Sequence, residues 1–143
     1  MIESSMMIND RMPEYCVERA VKVLNKYKKA INGSKVLVLG VAYKNDIDDY
    51  RESPAIRVIE VLLEQGAEVS YYDPWVKAFK DNDLAMESIP NLTKEVLADA
   101  DLVMITAAHT NVDYDFVQRN AQVVFDTKNA AKDVKNRDNI EVL

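Results

Sequence analysis

Glycine is scarce in this chain, with three among 143 residues, at positions 33, 40 and 66. A backbone that cradles a dinucleotide pyrophosphate needs a G-x-G-x-x-G turn, because side chains there block the approach of the phosphates. The turn where that fingerprint would fall reads Gly40-Val41-Ala42-Tyr43-Lys44-Asn45, and no G-x-x-x-x-G-K phosphate loop occurs anywhere. A free-standing dinucleotide-binding domain is therefore disfavoured. Cysteine and histidine occur once each. That excludes an internal disulfide, leaves too few soft ligands for a zinc site, and fits a cytoplasmic protein. The 18 Lys and Arg are scattered and outnumbered by 24 Asp and Glu, for a net charge of −6. Neither a nucleic-acid surface nor an anionic membrane is an expected partner. No apolar run approaches the roughly 20 residues of a membrane span, and the opening MIESSMMINDRM is too polar for a signal peptide.

What is present is the make-up of a globular domain, 48% apolar and 29% charged. Residues 1–11 are polar and Met-rich, the expected front of something cut from a longer protein. From Pro13 to about Ala30, Cys16, Ala20, Val21, Val23, Leu24 and Tyr27 recur at helical spacing, with Asn9 or Asp10 as the expected cap and Gly33 beyond the end. Val36–Leu39 is an uninterrupted apolar run that suits a strand covered on both faces. Ser53-Pro54 is an N-cap followed by a proline at the first helical position, opening a helix to Gln65 with Gly66 as its C′ residue. A second strand, Glu68–Tyr72, stops at Asp73-Pro74, and Trp75 to Pro90 reads as a looser region without a clean period. A short helix over Thr93–Ala98, a strand over Leu102–Thr106, a helix opened by Asp113 or Asp115 and running to about Asn120, a strand over Val123–Asp126 and an edge strand over Ile140–Leu143 complete the series. Alternating strands and helices with right-handed crossovers predict a Rossmann-like, three-layer α/β domain with a mainly parallel sheet, preceded by one amphipathic helix.

The chemistry concentrates between the first strand and the helix at Pro54. That loop leaves the carboxyl end of a strand, where open α/β sheets bind ligands. It holds Tyr43, Lys44, Asp46, Asp48, Asp49, Arg51 and Glu52. Lys44 as a point charge and Arg51 as a planar fork suit phosphate or ribose, while an internal salt-bridge network among these charges would instead order the loop for contact with another domain. A phospho-receiver reading, with Asp48, Asp49, Thr106 and Lys128, fails because Met104-Ile105-Thr106-Ala107 carries no acid to accept the phosphoryl group. Cys16 lies on the apolar side of its helix without a neighbouring base, so packing is expected. His109 follows a strand with no evident acid partner and is expected to be structural or capping. Trp75 is expected to pack a loop onto the core or an interface.

Gly40-Val-Ala-Tyr-Lys-Asn-Asp-Ile-Asp-Asp-Tyr-Arg-Glu-Ser-Pro54 resembles the G-x-A-[FY]-K-x-[DN]-x-x-D-x-R-E-S-P signature in the C-terminal domain of the UDP-glucose/GDP-mannose dehydrogenases. Tyr71-Tyr72-Asp73-Pro74 looks like the Y-D-P of that family, and Ile8–Tyr15 is similar to the end of the long helix joining its two halves. The likeness is greatest to the branch acting on UDP-N-acetyl-hexosamines, such as UDP-N-acetylglucosamine or UDP-N-acetylmannosamine. The resemblance implies residues 1–32 as the end of the linking helix and 33–143 as a nucleotide-sugar-binding domain. It implies one half of an NAD-dependent enzyme that oxidises a UDP-sugar to a uronate for surface polysaccharide. NAD and the catalytic cysteine would belong to an N-terminal half, so no catalytic residue is assigned here and the chain alone is expected to be inactive. By position, Tyr43 and Lys44 would reach the UDP-sugar and Arg51 the NAD side. Lys128 stands where relatives often carry Arg, so a fork there has become a point charge. A homodimer through the N-terminal helix is implied; the alternative is a structural or dimerisation module without a ligand of its own.

Overall fold

The computed structural model describes residues 2–42, 50, 53–81 and 83–143, with side chains from Met12 onward. In chain order the elements are α1 (Ile2–Lys26), β1 (Lys35–Leu39), α2 (Pro54–Glu64), β2 (Glu68–Tyr72), β3 (Ala78–Asp81), β4 (Leu84–Glu87), α3 (Lys94–Asp99), β5 (Leu102–Ile105), α4 (Tyr114–Asn120), β6 (Val124–Asp126) and β7 (Ile140–Val142). Five strands form one sheet in the order β2-β1-β5-β6-β7, and every pairing is parallel. The α/β, Rossmann-like architecture is the one expected from the sequence. From β1 the chain moves outward to β2, then crosses to β5 on the other side of β1. That reversal creates a crevice at the carboxyl ends of β1 and β5, the position where doubly wound sheets take ligands.

The unbroken apolar run of β1 follows from burial on both faces. Val36 and Val38 join the core under α1 and α2, with Cys16, Ala20, Leu24, Ile59 and Leu62. Leu37 and Leu39 point to the opposite core, with Leu97 of α3 and Val117 of α4. Each fully buried aliphatic side chain contributes about 2 kcal/mol from area removed from water. The two helices over the first core are also tied at their surface by Arg57 and Glu14, 3.0 Å apart.

The ends of α2 are those its sequence specifies. The Ser53 hydroxyl accepts the Ala55 N–H. At the other end Ala67 N–H reaches Leu62 O and Gly66 N–H reaches Leu63 O, a Schellman closure with Gly66 at φ +90°. Two expectations need correction. The first helix begins at Ile2 rather than near Pro13, and Pro13 lies inside it, so neither Asn9 nor Asp10 is its cap. The sequence before Pro13 has no glycine or second proline to stop a helix, and a proline restricts only its own turn. The looser region contains an antiparallel hairpin, β3 with β4. Its four-residue strands bury little beyond Phe79, Leu84 and Met86, too few side chains to set a period. Phe79 stacks obliquely on Tyr71, with ring centroids 5.3 Å apart.

Candidate functional site

The carboxyl ends of β1, β5 and β6 open into a cavity of about 420 Å³ lined by Ala42, Thr106, Thr127 and Lys128. Ser53, Pro54, Ala55 and Val58 at the start of α2 form one wall, Met12, Pro13 and Cys16 of α1 another, and Leu143 closes a corner. The strand ends are latched laterally by threonines. Thr106 Oγ1 donates to the carbonyls of Leu39 and Gly40, and Thr127 Oγ1 donates to Ile105 O at 2.6 Å. Gly40 permits the closest approach: at φ +93°, a Cβ on it would lie 2.5 Å from Ala107 Cβ. Both the helix amino terminus and the Lys128 ammonium favour an anion in this cavity.

Lys128 is exposed and its backbone is held from below. Asp126, 1% exposed, accepts the N–H groups of Lys128 at 3.0 Å, Ala130 at 3.1 Å and Ala131 at 2.8 Å. Asn129 sits in the left-handed region at φ +58°. An Asp-Thr-Lys-Asn sequence thus folds its own turn and aims a lysine at the cavity rim.

Behind the opposite rim lies a second buried carboxylate. Asp73 Oδ2 accepts the N–H groups of Val41 at 2.8 Å and Ala42 at 3.1 Å and faces His109 Nε2 at 3.0 Å. Its Oδ1 accepts from Trp75 N at 2.7 Å and Val76 N at 3.1 Å. Burial works to raise the Asp73 carboxyl, but the bonds from His109, Val41 and Trp75 outweigh it and hold the group below its ordinary 3.8. Tyr71 donates its hydroxyl to Val76 O at 3.0 Å, and burial pushes that phenol up to about 12.

Of the residues singled out from sequence, Tyr43, Lys44 and Arg51 lie outside the described residues, as do Asp46, Asp48, Asp49 and Glu52. The residues that bracket most of that segment, Ala42 and Ser53, both line the cavity. Cys16 is packed as expected; burial raises its thiol, with the Lys128 charge acting the other way. His109 is buried, and the expectation that it lacks an acid partner is overturned: Asp73, 36 positions away, supplies one. Trp75 is 43% exposed and so does not pack onto the core, which leaves the interface half of that expectation. The important role missed was that of Asp73, which the sequence marked as a turn-forming Asp-Pro pair within a Y-D-P resemblance but gave no partner.

The β1–α2 turn also tests a dinucleotide. The N–H groups that would meet a pyrophosphate are those of Val41 and Ala42, and both are held by Asp73. The space left by the one glycine is filled by Ala107. These residues do not fit the main NAD cradle. Among the described residues no three His, Cys, Asp or Glu side chains group to hold a metal ion, and no helix is long and apolar enough to cross a membrane.

A parallel sheet ordered in this way, with an anion-favouring cavity at its switch point, defines a ligand-binding α/β domain. Residues 37–133 match the UDP-glucose/GDP-mannose dehydrogenase family, UDP binding domain, and the chain belongs to that family. It is 33% identical over 138 residues to a UDP-N-acetyl-D-mannosamine dehydrogenase of Methanocaldococcus jannaschii, a match covering 90% of this chain and 29% of that relative. Among solved structures it is similar to NDP-N-acetyl-D-galactosaminuronic acid dehydrogenase from Methanosarcina mazei, with TM-score 0.77 and 28% identity over 96% of this chain and 30% of the other. The UDP-D-ManNAc dehydrogenase of Pyrococcus horikoshii gives TM-score 0.75 at 25% identity, covering 95% and 31%. The chain therefore spans about three-tenths of the length of these relatives.

Proposed function

We propose that this chain is the nucleotide-sugar-binding part of an NAD-dependent dehydrogenase that converts a UDP-sugar to the UDP-uronate for polysaccharide synthesis. One observation carries the proposal: Ala42 and Ser53, which bracket the signature segment, both line the cavity at the switch point, with Lys128 on its rim. In this reading Tyr43, Lys44 and Lys128 meet the UDP-sugar and Arg51 faces the NAD side. Residues 1–32 are the end of an interdomain helix, and 33–143 the binding domain. The names of the similar proteins favour a UDP-N-acetyl-hexosamine as the sugar nucleotide. NAD and the nucleophile are assigned to a domain that these residues do not include, the setting is the cytoplasm, and α1 is the expected dimer contact.

Half a cleft leaves much of its ligand exposed, so weak UDP binding is expected. Titration calorimetry or NMR with UDP to millimolar concentration tests it, with Lys44→Ala expected to lose the signal. A silent titration overturns the reading and favours an interaction module, to which the exposed Tyr15 on α1 and Tyr27 just past its end would contribute. Mixing the chain with NAD and UDP-sugars should yield no NADH. Steady turnover would overturn the assignment of the chemistry to another domain.

A further inference from the structure

We propose that Asp73, clamped by His109, is a positioning residue of the nucleotide site. Its carboxylate is the resident anion of the turn after β1 and holds Ala42 in place on the cavity wall. The assignment rests on the reading that this cavity takes the UDP-sugar.

In a dinucleotide-binding sheet the first turn after β1 keeps its N–H groups for a ligand phosphate. Here the turn is already occupied from within. Val41 and Ala42 donate to Asp73 Oδ2, and His109 Nε2 lies 3.0 Å from the same oxygen. Because a carboxylate only accepts, Nε2 is the ring nitrogen that carries the proton in this contact. The other oxygen takes the N–H groups of Trp75 and Val76, so one side chain joins the turns that follow β1 and β2 and, through His109, the turn that follows β5. Asp73 and His109 are each 1% exposed, which places the contact in a low-dielectric setting where charge-assisted bonds are short and directional. Tyr114 Oη donates to the His109 carbonyl at 3.0 Å and anchors that side in turn.

Two consequences follow. The phosphates of a nucleotide cannot use the Val41 and Ala42 N–H groups, which leaves the Lys128 rim as the cation that the cavity offers them among the described residues. The N–H groups of Val41 and Ala42 are pinned, which fixes Ala42 where it lines the cavity. Placement of that kind is what a binding group needs from its support.

The test uses the full chain, amide hydrogen exchange by NMR, and UDP calorimetry. Asp73→Asn and His109→Ala should speed exchange at Val41 and Ala42 relative to Leu37 in β1, and weaken UDP by about tenfold. His109→Gln, whose side-chain amide can donate to the same oxygen, should recover most of the affinity. Leu97→Ala, in the core beneath α3, should lower stability and leave UDP binding unchanged. If Asp73→Asn does not fold, the two His109 variants decide the matter by the same readouts. Unchanged exchange at Val41 and Ala42, unchanged UDP affinity while those amides loosen, or an equal loss of affinity in Leu97→Ala would each overturn the assignment and leave the nucleotide reading standing. A chain that takes no UDP in any form overturns both.

Discussion

Two buried carboxylates stand at strand ends in this sheet, Asp126 at the end of β6 and Asp73 just after β2, each 1% exposed. Asp126 gathers N–H groups two, four and five residues ahead of it. Asp73 reaches 32 positions back to Val41 and 36 positions ahead to His109. The first shapes a single loop, and the geometry is available to a short peptide. The second exists only after β1, β2 and β5 have come together, so its contribution belongs to the tertiary fold. Loss of the local carboxylate should loosen one turn, while loss of the distant one should release several at once.

The largest effect is therefore expected at Asp73. Asp73→Asn removes a charged acceptor from Val41 and Ala42 and leaves His109 facing an amide, at a cost of about 4 kcal/mol by urea denaturation. The pH dependence carries a second signature. The folded carboxyl is held below its ordinary 3.8, so its contribution is complete above that value and is lost as pH falls through the lower folded value. The acid limb of the stability profile should be shallower in the variant. Gly40→Ala comes next, at about 3 kcal/mol, because the new methyl group meets Ala107 within an unfavourable backbone region. It should weaken the closure of β1 on β5 without touching the Asp73 bonds. Asp126→Ala should cost about 2 kcal/mol, since the orphaned N–H groups belong to one loop whose edges water can reach.

The same contrast explains what was legible in the sequence. Ser53-Pro54, Gly66, Thr93 and Asp113 mark helix ends through bonds to residues two or three positions away, and each stands at its element's end in the fold. The apolar runs of β1, β5 and β6 announce a sheet buried on both faces. His109 looked partnerless because its partner is in another crossover, and no spacing rule connects the two. The β3–β4 hairpin hid for a different reason: its strands bury too few side chains to impose an alternation. Pro13 misled because a proline suits a helix start so well that its tolerated place inside α1 left no mark. At the candidate site, Lys128 was singled out by resemblance while the local Asp126 turn beneath it went unread, and the cavity beside it comes from the crossing of separate elements.

Lys128 separates the two kinds of contribution within one residue. Its N–H belongs to the Asp126 turn and its side chain is exposed at the cavity rim. Lys128→Ala keeps the N–H and removes the ammonium, so stability should stay within about 0.5 kcal/mol. UDP affinity should fall by roughly threefold to tenfold, with the gap from the unaltered chain narrowing as salt screens the ammonium. Lys128→Arg places a planar fork where a point charge stood and should hold or raise the affinity. If Lys128→Ala instead unfolds the chain while binding persists in what remains folded, the side chain supports the loop and not the ligand. Calorimetry at two ionic strengths, paired with thermal unfolding of the same samples, distinguishes the cases: a binding charge leaves the melting temperature unchanged, and a structural one lowers it.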